Sequence, residues 1–165
     1  MKVWGMLANG HLCIHVLPVD EDGKTVHMNG PTFREMMEDH ALDWKRRCWP
    51  SRAPQIVHLI QDHERCLWQK DSVACLKALK MPPVTMYPVN SPDLNPIEQV
   101  WSLIRTYLDE KAPTGLESRE AFLCRLHGAV RHFNASKRDV LLKICRDQKK
   151  RAQEVLDNDG GRIGR

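Results

Sequence analysis

The sequence has no apolar run long enough to span a membrane and no signal-peptide pattern. It also contains no glycine-rich phosphate loop and no G-x-S-x-G motif. No local spacing of serine, histidine and aspartate marks a hydrolase triad. These absences disfavour a membrane-spanning protein and an enzyme that uses a nicotinamide cofactor or ATP.

The cysteines are widely scattered, which does not fit the dense disulfide framework of a small secreted domain. The sequence therefore predicts a reducing compartment. The six cysteines are Cys13, Cys48, Cys66, Cys75, Cys124 and Cys145. No complete four-ligand zinc pattern is present. Cys124, His127 and His132 could still share a helix face, and His63 and Cys66 have the spacing of metal ligands. Packing on a helix face is the alternative role for Cys124 and His127.

At 165 residues, 42% hydrophobic and 28% charged, the chain is predicted to be globular and to bury a core. Its charge is uneven. Residues 1–110 carry 12 basic and 14 acidic side chains, whereas residues 111–165 carry 13 basic and 7 acidic ones. We divide the chain accordingly into a core, 1–110, and a basic helical part of the same domain, 111–165. The basic part predicts either contact with nucleic-acid phosphates or a solvated helical surface.

Several elements follow from local patterns. Asn9-Gly10 predicts a tight turn between two strands, one from Lys2 and one from Leu12. A capping pattern at Thr32 predicts a helix to about Arg47. The apolar run Ile56–Ile60 predicts a strand that is covered on both faces.

The rest of the chain is predicted to be mainly helical. A short helix ends at Leu79, and residues 84–87 read as another strand. Asn95 and Ser118 are predicted N-caps of the next two helices, and a last helix runs from about residue 136 to about residue 158. This order of elements predicts a mixed α/β sheet flanked by helices.

Asp62 and Glu98 are the candidate metal ligands. Asp62 ends the apolar run, and Glu98 lies in the first turn of a predicted helix. Clustered carboxylates at such rigid places can hold Mg²⁺ or Mn²⁺ for phosphodiester cleavage by two metal ions. The alternatives are that Glu98 closes a capping box with Asn95 and that Asp62 is an ordinary polar residue after a strand.

The stretch Ser91-Pro92-Asp93-Leu94-Asn95-Pro96-Ile97-Glu98, followed by Trp101, closely resembles the SPDLNPIE-x-x-W segment of mariner-superfamily DDE transposases. Gln61-Asp62 resembles the start of the segment that carries the family's second catalytic aspartate. Weaker similarities lie at Val3-Trp4-Gly5 and between Lys150 and Gly161. Asp93 belongs to the turn of the motif, not to its metal site.

The resemblance implies a ribonuclease-H-like fold, catalysis by Asp62 and Glu98, and a two-metal site for Mg²⁺ or Mn²⁺. It implies DNA as partner, both transposon ends and target, and a possible homodimer, with no membrane. The location would be nuclear in a eukaryote and cytoplasmic otherwise. Lys149, Lys150 and Arg151 could contact a DNA backbone or act as a nuclear address; the alternative is a solvated basic run.

Two departures from the family pattern matter. The residues after Asp62, His63–Leu67, replace the usual asparagine and histidine. The family's first catalytic aspartate lies upstream of the segment that resembles Val3-Trp4-Gly5, as does its DNA-binding region. We therefore expect a core that lacks its first strand and is inactive alone. The alternative function is a non-catalytic remnant that serves as a nucleic-acid-binding or protein-interaction module.

Overall fold

The computed structural model describes residues 1–86 and 94–159. These residues form a two-stranded antiparallel sheet and six α-helices, so the predicted mixed α/β class is confirmed at that level. The elements are β1 (Val3–Ala8), β2 (His11–Val16), α1 (Gly30–Cys48), α2 (Lys70–Ala78), α3 (Pro96–Glu110), α4 (Arg119–Ser136), α5 (Arg138–Arg146) and α6 (Gln148–Asp157). A 3₁₀ helix, Arg65–Trp68, precedes α2. None of the helices in the described ranges is long and apolar enough to cross a membrane.

The hairpin of β1 and β2 turns at the predicted dipeptide. Asn9 has φ of 49° and Gly10 has φ of 70°, and two left-handed residues in succession give the turn that matches the twist of paired strands. Gly10 is also required for close packing, because a Cβ atom there would lie 2.9 Å from Cβ of Leu142 and 3.0 Å from the carbonyl oxygen of Arg138. The turn therefore combines a backbone requirement with a steric one.

The described chain divides into two compact units. The first combines Met1–Gly5 with the described residues from Ile14 to Met86, and the second combines Met6–Cys13 with those from Leu94 to Asp159. The hairpin contributes residues to both units, since its open end belongs to the first and its turn to the second.

The core of the first unit forms on α1. Its buried side chains recur at helical spacing: Phe33, Met36, Met37, Ala41, Trp44 and Cys48. The indole of Trp4 stacks on that of Trp44, with ring centroids 5.2 Å apart and an angle of 17° between the planes. The helix begins at Gly30, earlier than predicted, because the side chain of Asn29 accepts a hydrogen bond from the Thr32 amide at 2.9 Å. Asn29, not Thr32, is therefore the N-cap.

The predicted two-sided burial of Ile56–Ile60 is wrong. This segment is not a regular strand, and Ile56 and Ile60 are 51% and 37% exposed. It forms one parallel bridge, between Leu59 and Pro83, with hydrogen bonds such as that from the Leu59 amide to the Pro82 carbonyl at 3.0 Å.

Proline explains why that pairing stays short. The Val57 amide donates to the Lys80 carbonyl, and the Val84 amide donates to the Leu59 carbonyl. In a regular parallel ladder the amide of residue 82 would donate to the Val57 carbonyl between these bonds, but Pro82 has no N–H group. The predicted strand at residues 84–87 is likewise not formed at Val84–Met86, and Tyr87 lies outside the described residues.

The second unit packs α3, α4 and α5 around an apolar core. The buried side chains there include Val100, Ile104, Leu108, Leu126, Ala129, Val130, Phe133, Leu141 and Ile144. The side chain of Asn134 on α4 forms hydrogen bonds with both the backbone amide and the backbone carbonyl of Leu12 in the hairpin. Its Oδ1 accepts from the Leu12 amide at 2.8 Å, and its Nδ2 donates to the Leu12 carbonyl at 2.9 Å. An amide side chain thus takes the place of a neighbouring strand.

Two details of the second unit differ from or extend the prediction. The last helix is two helices, α5 and α6, that meet at Asp147, and α6 buries no side chain. The segment between α3 and α4 is fixed by Arg125, whose guanidinium donates to both carboxylate oxygens of Glu117 and to the Leu108 carbonyl. These hydrogen bonds hold the pKa of Glu117 below its ordinary value.

We predict that Gly10→Ala lowers the free energy of unfolding more than Gly23→Ala does. Both glycines have positive φ, but nothing lies within 4 Å of a Cβ at Gly23. The control should cost about 1–2 kcal/mol for the left-handed backbone alone. Gly10→Ala should cost about 1–3 kcal/mol more, from the contacts with Leu142 and Arg138. Urea unfolding of both variants measures this difference, and equal losses would contradict the steric argument.

We also predict that the stability of the first unit falls in mild acid because of His15. The His15 ring lies 5.0 Å from that of His40, and burial, followed by the charge of His40, lowers the pKa of His15, against an opposing effect of Asp39. A lowered pKa means that the unfolded chain binds this proton first, so stability decreases as the pH falls through about 6.5. When the free energy of unfolding is plotted against pH between 7.5 and 5.5, the slope should be smaller in His15→Gln than in the wild type. Identical slopes for His15→Gln and the wild type would refute the assignment.

Candidate functional site

Asp62 lies where the segment paired with residues 80–84 ends. Its side chain is exposed, while its main chain is fixed, because Nε1 of Trp68 donates to the Asp62 carbonyl at 2.8 Å. The neighbouring Gln61 donates from Nε2 to the Leu67 carbonyl at 3.4 Å. The structure therefore places this candidate ligand on a tethered backbone at the end of a partly β-paired segment.

The 3₁₀ helix that provides these tethers is itself held in place by buried side chains and by a hydrogen bond from α2. Cys66 and Leu67 are buried, and the hydroxyl of Ser72, which is fully buried on α2, donates to the Cys66 carbonyl at 2.8 Å. Burial, followed by the charge of Glu64, raises the pKa of the Cys66 thiol. Cys66 is therefore poorly suited to bind a metal as a thiolate, and its role is packing.

His63 and Trp68 form an aromatic pair beside Asp62. Their ring centroids are 5.0 Å apart and their planes differ by 10°. The sequence shows only a histidine and a tryptophan five residues apart, and neither helical nor strand spacing brings such residues together. The 3₁₀ turn between them does so, and this pair was missed by sequence reasoning.

Glu98 occupies the first turn of α3, as predicted. Asn95 is the N-cap, with its side chain accepting from the Ile97 amide at 3.4 Å, and Pro96 begins the helix. Glu98 is exposed at an end where the helix dipole favours a carboxylate. The buried side chains of α3, Val100, Ile104 and Leu108, pack in the core and hold the helix in place. A capping role and a metal-binding role both suit this position.

Asp62 belongs to the first unit and Glu98 to the second, so their binding of a shared ion stays a prediction. Asp93 lies outside the described residues. In the ranges 1–86 and 94–159, no group of three or more histidine, cysteine, aspartate or glutamate side chains is arranged to hold a metal. Two exposed carboxylates nevertheless suit the hard-oxygen chemistry of Mg²⁺ or Mn²⁺, which retain water and add phosphate oxygens.

The basic candidates Lys149, Lys150 and Arg151 lie in the first half of α6. Lys149 and Lys150 are exposed and Arg151 is half-buried. The Nζ atom of Lys150 is 3.7 Å from a carboxylate oxygen of Glu154, an exposed pair one helical turn apart. Such a pair contributes little to stability, so Lys150 could exchange Glu154 for a phosphate.

The cysteine and histidine residues of α4 have separate environments. Cys124 and His127 are exposed, whereas the ring of His132 stacks on that of Tyr107 with centroids 4.8 Å apart. The Nζ atom of Lys111 lies 5.2 Å from the centre of the same Tyr107 ring. His132 thus has a packing role between α3 and α4. None of the six cysteines, all of which lie in the described ranges, forms a disulfide.

No protein-family model matches this chain, and no curated protein matches it.

Proposed function

We propose that this chain carries part of the catalytic domain of a cut-and-paste DNA transposase, with Asp62 and Glu98 as two of its metal ligands. One observation carries the proposal: the unbroken SPDLNPIE segment from Ser91 to Glu98, followed by Trp101. The described end of this segment supports it, because Asn95 caps α3 and leaves Glu98 exposed in the first turn.

The two carboxylates would position metal rather than react themselves. Bound Mg²⁺ or Mn²⁺ would supply charge stabilisation for the attacking and leaving oxygens of a phosphodiester. The chain's contribution is to hold both carboxylates in place. The hydrogen bond from Trp68 tethers the backbone of Asp62, and Glu98 lies in the first turn of a capped helix. Such tethering reduces the loss of conformational entropy when a ligand is bound.

A DNA-backbone surface on α5 and α6 is the second part of the proposal. Lys143, Arg146, Lys149 and Lys150 are all exposed, and Asp147 is the only acidic residue between Lys143 and Lys150. Lysine and arginine that neutralise phosphates release counterions, which gives affinity without sequence preference. The charge of residues 111–165 agrees with such a role.

The alternative function is a module that binds nucleic acid or protein without catalysis. The observation that favours it is the absence of a three-residue metal-binding group within the described ranges. The two functions make opposite predictions for metal binding, since a non-catalytic module has no need for Asp62 and Glu98.

We predict that the purified chain binds Mn²⁺ weakly and that Asp62→Asn or Glu98→Gln weakens this binding about tenfold or more. Each substitution keeps the shape of the side chain but removes a charged oxygen ligand, and tenfold corresponds to about 1.4 kcal/mol. Electron paramagnetic resonance of free Mn²⁺ measures the affinity. Asp71→Asn on α2 and Asp109→Asn on α3 are matched controls, because both side chains are exposed carboxylates.

Equal affinities of all four variants would refute the metal-ligand assignment. The same preparation should not nick duplex DNA, because two carboxylates are too few to hold two metal ions about 3.5–4 Å apart. Nicking that requires Mn²⁺ and disappears in Asp62→Asn would show that another carboxylate completes the site.

We predict that the chain binds random duplex DNA weakly and that binding weakens steeply with salt. Replacing both Lys149 and Lys150 by glutamine should lower the slope of log affinity against log salt by about 2, since each phosphate contact contributes about 0.9. Replacing the exposed Lys77 and Lys80 of the first unit by glutamine is the control with the same change of charge. Fluorescence anisotropy at several salt concentrations measures the slopes, and equal slopes for the two double variants would place the DNA contact elsewhere.

A further inference from the structure

The stacked rings of His63 and Trp68 form a small planar surface beside Asp62. Because His63 is exposed and Trp68 is half-buried, the imidazole is the outer ring of the pair. The hydrogen bond from Nε1 of Trp68 to the Asp62 carbonyl fixes the orientation of the indole. The imidazole of His63 therefore stacks on an indole whose orientation is set by its hydrogen bond to the backbone of Asp62.

The support of this pair is rigid. Leu67 and Ser72 are buried, and Ser72 and Gln61 each donate a hydrogen bond to a carbonyl of the 3₁₀ helix. A pair that is ordered before a ligand arrives loses little conformational entropy on binding. This is the property that a stacking surface requires.

The chemistry of the surroundings indicates what would stack there. The other residues at 62–65 and 69–71 are exposed and polar or charged, so the residues next to the two rings in sequence add polar groups rather than apolar ones. Arg65 and Lys70 are balanced by Glu64 and Asp71. An isolated aromatic face of this size fits a single planar group, and a nucleobase offers such a group whatever its identity.

The base must be unpaired. Within a duplex both faces of a base are covered by its neighbours, so only a single-stranded or extruded base can add to a protein ring. We propose that His63 and Trp68 stack an unpaired nucleobase next to the phosphate that Asp62 helps to bind. This inference rests on the proposed function for its location. Asp62 and His63 are consecutive, with Cα atoms about 3.8 Å apart, so one nucleotide can reach both.

The competing explanation is that His63 only shields the indole of Trp68 from water. Under that explanation, His63→Ala changes the stability of the first unit but not the preference for a base. A useful test must therefore compare ligands that differ only in the base and must be made on variants that remain folded.

The experiment uses a labelled duplex with a single-stranded tail of four adenines and the same duplex with four abasic sites in the tail. Fluorescence anisotropy in EDTA gives the ratio of the two dissociation constants. Stacking of one base should make this ratio about fivefold to a hundredfold in the wild type. The ratio should fall to about one in His63→Ala and persist in His63→Phe, because stacking of the base needs an aromatic ring and not a titratable one.

The exposed His58→Ala is the matched control and should keep the wild-type ratio. In Trp68→Leu, with the fold checked by urea unfolding, the ratio of dissociation constants should fall to about one, as in His63→Ala. A ratio near one in the wild type, or an unchanged ratio in His63→Ala, would overturn the proposal. Because EDTA removes metal, a failure here is separate from a failure of Mn²⁺ binding, which tests Asp62 and Glu98 as ligands.

Discussion

The left-handed turn at Asn9-Gly10 is the constraint on which both compact units depend. It sets the register of the hairpin, and a slip of one residue would turn every strand side chain to the opposite face. In the first unit, that register places Trp4 on Trp44 of α1. In the second, it presents the backbone of Leu12 to both polar atoms of the Asn134 side chain. Each unit therefore includes a contact made by a strand of the same hairpin.

A second constraint explains why the sheet is small around the candidate site. The pairing between Leu59 and Pro83 is a single bridge, because Pro82 cannot donate the next hydrogen bond of the ladder. Ile56 and Ile60, on the same segment, lie exposed. What orders the chain after this bridge is not the sheet but the 3₁₀ helix, through the bond of Trp68 to the Asp62 carbonyl. The candidate ligand and the proposed stacking surface thus share one support.

The turn and the helix caps were predictable from the sequence, whereas side-chain burial by tertiary contacts was not. Asn9-Gly10, Asn95-Pro96 and Ser118 each carry their signal within three residues, and the structure has the turn and the two caps at these places. The burial predicted for Ile56–Ile60 required covering partners distant in sequence, so an apolar run was not sufficient to predict it. Asp62 and Glu98 could be singled out by residue type and position, but the distance between two such residues is a tertiary property that no local pattern encodes.

The proposed binding of one ion by both Asp62 and Glu98 is tested most directly by iron-mediated cleavage of the backbone. Fe²⁺ replaces Mg²⁺ or Mn²⁺ at oxygen sites, and hydroxyl radicals produced there with ascorbate and peroxide cut the chain close to the ion. Binding of one shared ion predicts fragments that end near residue 62 and near residue 98, both suppressed by excess Mg²⁺ and both lost in Asp62→Asn. Cleavage at only one of these places, or cuts near residue 98 that persist in Asp62→Asn, would contradict it.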